Sequence, residues 1–253
     1  MRKCALILAV VGVIAAGACT DVTGAKNEIL SIQFDSLAFP SVVVGDSLRD
    51  TTGAIALPRV TAFDFGGAVI PTATVRYYTA DRGVTVDSIT GLIRGDSVRA
   101  TPVRIIATVG EIQAERLLSV TLRPDTMFAG NRVDSIRYSL LDTTLNLSSA
   151  VTVSLRHGVT GADSAVNAYL VSFAVVSPSG SAVADLVDEA GRKSNVDTTD
   201  TNGLAGRRIR LHATLLSSPT LNDSIVINAT AKYRGKVLKG GPVRLVVRIK
   251  PRG

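Results

Sequence analysis

Four side chains in this sequence belong to the types that most often carry nucleophilic or metal chemistry: Cys4, Cys19, His157 and His212. A nucleophile needs an oriented base beside it, and a zinc site needs several histidine or cysteine ligands. The two histidines are far apart in the sequence: His157 precedes a glycine at a predicted turn, and His212 lies on the outward side of a predicted strand. We therefore expect no catalytic centre, no metal site and no cofactor.

Hard oxygen ligands come together in one short segment, from Asp197 through Asp200 and Asn202 to Gly203. A calcium loop of the EF-hand type requires oxygen ligands at its first, third and fifth positions and a glycine at its sixth. Here they stand at the first, fourth and sixth positions, with the glycine seventh. The pattern favours a hairpin turn capped by an aspartate side chain over a calcium site.

The beginning of the chain has the three parts of an export signal: two basic residues, an apolar stretch from 5 to 16, and small residues before Cys19. The stretch is shorter than the roughly 20 residues that a membrane-spanning helix needs. The segment Ala16-Gly17-Ala18-Cys19 resembles a bacterial lipobox, although Ala16 stands where leucine is commonest. The resemblance implies a signal peptide over residues 1–18, a diacylglyceryl group on Cys19 and a tether over 19–28.

Cleavage without lipidation is the alternative, and it would leave Cys19 as a free thiol. Cys4 lies within the discarded segment, so the mature chain has no second cysteine and no intramolecular disulfide. A solitary exposed thiol outside the cytosol is a liability that acylation removes. We expect a lipid-anchored protein of the bacterial cell envelope. Thr20 after the cysteine favours the outer membrane, on either its periplasmic or its surface side.

The remaining sequence predicts an all-β protein. Its apolar residues are mainly Val, Ile, Leu and Ala with no Trp, and no helical apolar period is sustained for a dozen residues after the export signal. Apolar and polar residues instead alternate over short runs bounded by turn residues. The predicted strands include 30–34, 103–109, 117–122, 136–140, 151–155, 169–175, 207–213, 224–231 and 243–249. The segment 182–190 fits either a strand or a single helical turn.

A turn-rich stretch near Pro124 divides the predicted strands into two sets of about seven, the number in an immunoglobulin-like sandwich. We expect two tandem immunoglobulin-like antiparallel β-sandwiches, at 29–122 and 123–253.

Two family patterns support that division. The first set contains Asp64-Phe-Gly-Gly, Val84-Thr-Val-Asp-Ser-Ile-Thr-Gly91 and Ile105-Ile-Ala-Thr, and over 58–122 it resembles the second group of bacterial Ig-like domains, with Tyr77 where that group usually has Trp. The second set contains Thr199-Asp-Thr-Asn-Gly-Leu-Ala205, and over 158–249 it resembles the Ig-like repeats of invasin and intimin. These resemblances imply a spacer, an adhesive module or an appendage.

Charge is distributed unevenly between the two sets. Residues 19–122 carry 9 basic and 11 acidic side chains, whereas residues 123–253 carry 17 and 10. Within 207–253 there are 11 Lys or Arg against the single acid Asp223. If the strands bearing Arg208 and Arg210 and those bearing Arg244 and Arg248 were paired, they would form one cationic surface. The residues expected to bind there are Arg207, Arg208, Arg210, Lys232, Arg244 and Arg248.

Three interpretations of that surface remain open. It is a solvated face that discourages edge-to-edge aggregation, or a site for an anionic glycan, lipid head group or protein partner, or a nucleic-acid site. Nucleic acid is disfavoured because Tyr233 is the only aromatic residue in 207–253. We expect a non-catalytic interaction or adhesion module acting through the basic C-terminal domain. The alternative is a structural or accessory envelope lipoprotein without its own ligand.

Overall fold

The computed structural model describes residues 28–158, 164–178, 182–216 and 223–252. The predicted signal peptide, Cys19 and all of the predicted tether except Glu28 lie outside the described residues. No helix in the described part of the chain is long and apolar enough to cross a membrane.

Strands dominate the described ranges. They are β1 to β20, at Ile29–Phe34, Ser41–Val43, Val60–Asp64, Arg76–Tyr78, Val84–Val86, Ile93–Gly95, Val103–Val109, Ile112–Thr121, Thr126–Asn131, Val133–Tyr138, Val151–His157, Ser164–Ala165, Leu170–Ser177, Ala184–Val187, Val196–Thr198, Leu204–Leu211, Asp223–Thr230, Lys232–Tyr233, Lys236–Val237 and Val243–Pro251. Single turns of 3₁₀ helix lie at Thr143–Leu145 and Ala213–Leu215. The segment that fits either a strand or a helical turn contains strand β14, which pairs with β16.

The N-terminal unit, β1 to β8, is built around a four-stranded sheet in the order β2-β8-β7-β4. The pairs β1-β3 and β5-β6 pack against this sheet. Strand β7 alternates between buried and more exposed side chains along its whole length, as expected for a strand with one face on a core. The largest side chains in the core include Phe34, Leu48, Ile93, Ile105 and Leu118.

The C-terminal unit, β9 to β20, is a sandwich of two larger sheets. One has the order β10-β20-β17-β13-β15, and the other has the order β12-β11-β16-β14 with β9 also paired to β11. The ladder between β10 and β20 is parallel, and the other ladders of these two sheets are antiparallel. Their facing side chains form the core, which contains Tyr138, Leu155, Phe173, Ile209 and Ile225.

Every strand ladder in the described part of the chain joins two strands on the same side of Leu122. The prediction of an all-β protein with two tandem β-sandwiches is therefore confirmed. Each core depends on burial of apolar side chains, which contributes about 1.5–3 kcal/mol for each fully buried Val, Leu, Ile or Phe.

Candidate functional site

The six basic residues predicted to form one surface lie in four different places, although five of the six are on two strands. Arg208 and Arg210 are on β16, whereas Arg244 and Arg248 are on β20. Strand β16 pairs with β11 and β14, and β20 pairs with β10 and β17, so the two strands belong to opposite sheets of the sandwich. The prediction that they merge into one surface is wrong, because the outer faces of opposite sheets point away from each other.

Arg207 is not on either outer face, since only 7% of it is exposed. Its guanidinium forms an ion pair with Asp197 at 3.0 Å and donates to the backbone oxygen of Ser194 at 3.1 Å and of Gly206 at 2.8 Å. These bonds compensate the buried charge. Arg207 holds β16 against the segment that leads into β15, so its role is structural.

The outer face of β16 carries its cations beside a carboxylate. Arg210 lies opposite Asp185 in the ladder with β14, and Asp185 also contacts Lys193 at 2.9 Å and His212 at 2.8 Å. Burial raises the pKa of Asp185, but the bonds from Lys193 and His212 outweigh it and leave that pKa below its ordinary value. Arg208 donates to the backbone oxygen of Ser148 at 2.9 Å. This face is therefore partly neutralised.

The outer face of the opposite sheet carries four cations that form one row. Arg244, Arg248 and Lys250 alternate with buried residues along β20 and are all exposed. Arg137 on β10 lies directly opposite Lys250 in the parallel ladder and is also exposed. We call these four residues the cationic face. The sequence prediction missed Arg137 and Lys250.

At the described strand positions of β10, β20, β17 and β13, no carboxylate lies on this outer face. The positions that the ladders place beside the four cations on β10, β20, β17 and β13 are Val133, Ser135, Val246, Ser224, Val226, Asn228, Thr230, Ser172 and Ala174. Asp134 and Asp223, the acids on these strands, stand at the alternate positions, opposite the buried Val247 and Ile249. The four cations therefore have no counter-charge among their neighbours in the strand ladders.

Lys232 lies elsewhere, on the short hairpin β18-β19, close to the N-terminal unit. Its backbone oxygen accepts a hydrogen bond of 2.7 Å from the Tyr169 hydroxyl. The next two residues of the hairpin, Tyr233 and Arg234, both reach a carboxylate of the other unit, Asp46. Lys232 lines a cavity together with Asp46 and Arg49 of the N-terminal unit, so it lies beside the contact between the two units.

Asp46 is the centre of this contact, and only 6% of it is exposed. Its Oδ2 accepts bonds of 2.8 Å from both the Tyr233 hydroxyl and Arg234 Nε, and Arg49 donates to both carboxylate oxygens at 2.9 and 3.0 Å. Burial raises the pKa of Asp46, but the bonds from Arg49, Arg234, Tyr233 and the Ser47 amide outweigh it and hold that pKa well below its ordinary range. The carboxylate is charged at neutral pH, and both of its oxygens accept hydrogen bonds from other groups of the protein.

Close backbone approach and ring packing complete the contact. A Cβ atom on Gly53 would overlap the backbone nitrogen of Gly235, and one on Gly235 would lie 2.7 Å from the Thr52 backbone oxygen. The rings of Phe39 and Tyr169 lie 5.0 Å apart. The two units are thus joined by polar, apolar and backbone contacts together, which is more than a flexible linker provides.

The histidines and the aspartate-rich turn have structural roles. His157 Nδ1 lies 2.9 Å from both the Arg123 backbone oxygen and Asp125. Strand β16 ends at Leu211, so His212 lies directly after the strand. The sequence prediction had placed His212 within this strand. The Asp200 carboxylate accepts from the backbone nitrogens of Asn202 and Leu204, as an aspartate-capped turn requires. Among the described residues, no group of three His, Cys, Asp or Glu side chains is placed to hold a metal ion.

No family model and no curated protein matches the chain. Solved structures that resemble it include domains 4 and 5 of the S-layer protein SbsC, at 11% identity and a TM-score of 0.31, with 89% of this chain and 100% of that chain covered. Human protocadherin-24 EC1-2 has 15% identity, a TM-score of 0.28 and coverages of 88% and 99%. Bacteroides uniformis β-glucuronidase 3 has 12% identity, a TM-score of 0.29 and coverages of 87% and 24%. Likenesses this distant, to proteins this different, carry no argument about function.

Proposed function

We propose that this protein is a lipid-anchored, non-catalytic module of the bacterial cell envelope that binds an anionic partner through the cationic face. The observation that carries the proposal is the row of Arg137, Arg244, Arg248 and Lys250, four exposed cations without a neighbouring carboxylate on their sheet face. Like charges held side by side raise the local potential and attract anions. A face that only kept the protein soluble would serve as well with charges of both signs.

A structural role is the second candidate, and the contact at Asp46 favours it. The buried carboxylate accepts from donors of both units, and Gly53 and Gly235 approach each other closely, so these contacts oppose movement of one unit against the other. Such a pair is suited to act as a rigid spacer. The spacer needs no ligand, so binding experiments separate the two candidates.

The cationic face is tested with the double variant Arg244→Gln/Arg248→Gln. Its matched control is Arg208→Gln/Arg210→Gln, which removes the same net charge from the opposite sheet. We expect binding to anionic polymers at low ionic strength to weaken about tenfold in the first variant and by less than about twofold in the control. Equal losses would show that only the net charge matters. If the wild type does not bind these polymers, the rigid spacer is the remaining candidate function.

Anchoring is tested separately, by labelling cells with a fatty-acid probe. Wild type should carry the label, and Cys19→Ala should lose it and leave the membrane fraction. Two or three acyl chains hold a protein stably, because each buried methylene contributes about 0.8 kcal/mol. Label on the Cys19→Ala variant would contradict lipidation at this residue. Protease treatment of intact cells then distinguishes surface exposure from a periplasmic location.

A further inference from the structure

We infer that the partner of the cationic face is an extended acidic polysaccharide lying along β20, an inference that rests on the function proposed above. The shape of the charged row leads to this class. Arg244 and Lys250 are six residues apart on one strand, a distance of about 20 Å at 3.3 Å per residue. Arg137 widens the row at one end by one strand spacing, about 4.8 Å. A flat row of this length fits a chain with repeated charges better than a single small anion, which needs converging donors.

The strands beside the row add neutral hydrogen-bonding groups. Asn228 on β17 lies directly opposite Arg244, and Ser224 lies opposite Arg248. Thr230 and Ser172 continue this surface onto β13, where the Ser172 hydroxyl already donates to the Thr230 backbone oxygen at 3.1 Å. Hydroxyl and amide groups next to cations match a ligand whose carboxylates alternate with hydroxyls. A sugar acid polymer has that composition, whereas an acidic peptide lacks the hydroxyls.

Two other anionic surfaces fit less well. Binding to a bilayer surface usually adds several apolar or aromatic side chains that enter the headgroup region. Beside the row, exposed apolar residues lie at one end, where Val133 stands next to it and Phe128 lines a cavity with Arg244. Single-stranded nucleic acid is held by successive aromatic rings, whereas Phe128 is a single exposed ring and Tyr138 on β10 is buried in the core.

Defined probes test the class of ligand. We would measure binding of the full chain to oligomers of alginate, from the dimer to the octamer, to poly-L-glutamate of matched charge, and to phosphatidylglycerol vesicles, all at low ionic strength. We expect affinity for alginate to rise with chain length until the row is filled, and alginate to bind more tightly than poly-L-glutamate. Arg244→Gln/Arg248→Gln should lose about tenfold on alginate, while Arg208→Gln/Arg210→Gln stays within about twofold of wild type.

A second variant isolates the neutral groups. Ser224→Ala/Asn228→Ala should weaken alginate binding about threefold and weaken poly-L-glutamate binding less, because alginate offers ring hydroxyls to these side chains in addition to its carboxylates. Thermal melting of each variant confirms that it is folded.

The outcomes separate this inference from the function on which it rests. If poly-L-glutamate or the vesicles bind as tightly as alginate, or the dimer as tightly as the octamer, the polysaccharide inference is wrong. The proposed function stands in that case, provided that the binding still requires Arg244 and Arg248. If every probe treats the two arginine double variants alike, the cationic face is not a binding site and both fail.

Discussion

Replacing Asp46 by asparagine should uncouple the two units while each remains folded. Asp46 Oδ2 accepts one bond from Tyr233 and one from Arg234, both at 2.8 Å, and these are the charge-assisted bonds that cross between the units. A hydrogen bond to a charged group contributes about 1.5–3 kcal/mol. The Arg234 side chain is 54% exposed, so solvent screens its bond, whereas the Tyr233 hydroxyl that bonds to Asp46 is part-buried. We expect a coupling of about 1–2 kcal/mol between Asp46 and Tyr233.

A double-mutant cycle measures this coupling directly. The variants are Asp46→Asn, Tyr233→Phe and the pair, and the quantity is the free energy of urea unfolding of the full chain. Asp64→Asn is the matched control, because Asp64 bonds to the backbone nitrogens of Gly66 and Ala68 within the N-terminal unit. Small-angle scattering should show a wider range of interunit angles for Asp46→Asn. A coupling within about 0.5 kcal/mol of zero, or the same range of interunit angles for Asp46→Asn as for Asp64→Asn, would refute the reasoning.

The remaining predictions concern pH, backbone approach and the buried arginine. Because the pKa of Asp46 is lowered in the folded protein, its contribution to stability is fully present above the unfolded pKa near 4 and is lost as the pH falls through the lower folded pKa. Burial and the bond to Asp46 raise the pKa of Tyr233. The contribution of Tyr233 to stability is therefore lost only as the pH rises above about 10. The stability difference between wild type and Asp46→Asn should therefore stay constant from about pH 5 to 9, and a slope within that window would contradict the assignment. Gly53→Ala should lower the free energy of urea unfolding by about 1–3 kcal/mol more than Gly67→Ala, because both glycines have positive φ but only Gly53 contacts the other unit. Equal losses of stability in the two variants would mean that backbone strain alone causes them. Arg207→Gln should lower the melting temperature, because it removes about 2 kcal/mol of folding stability. The control is Arg244→Gln, at an exposed position. An equally small change in melting temperature in both variants would show that the ion pair of Arg207 with Asp197 does not stabilise the fold.

The alternation of apolar and polar residues was sufficient to predict most strands, because each strand buries one face. The same alternation contained two signals that the sequence prediction overlooked. Arg207 has the parity of Ala205, Ile209 and Leu211, which are buried, so an inward position was already indicated. Lys250 has the parity of Arg248, which placed it on the same outer face.

The partners of these strands were not accessible in the same way. The parallel ladder between β10 and β20 brings Arg137 beside Lys250, and nothing in either segment specifies the other. The contact of Asp46 with Arg234 has the same origin, because the two residues are 188 positions apart in the sequence. Pairing over long sequence separations is decided by the packing of the whole sandwich, which local periodicity does not encode.

The parallel ladder between β10 and β20 also determines when the cationic face can form during synthesis and folding. It joins the second strand of the C-terminal unit to its last strand, so the row of Arg137, Arg244, Arg248 and Lys250 does not exist until β20 has docked. A chain that emerges N-terminus first from the ribosome therefore does not present the complete cationic face until β20 has been made. A fragment that stops before Val243 retains Arg137 and lacks the other three cations. The complete cationic face thus forms only after the last strand of the C-terminal unit has been synthesised and has folded.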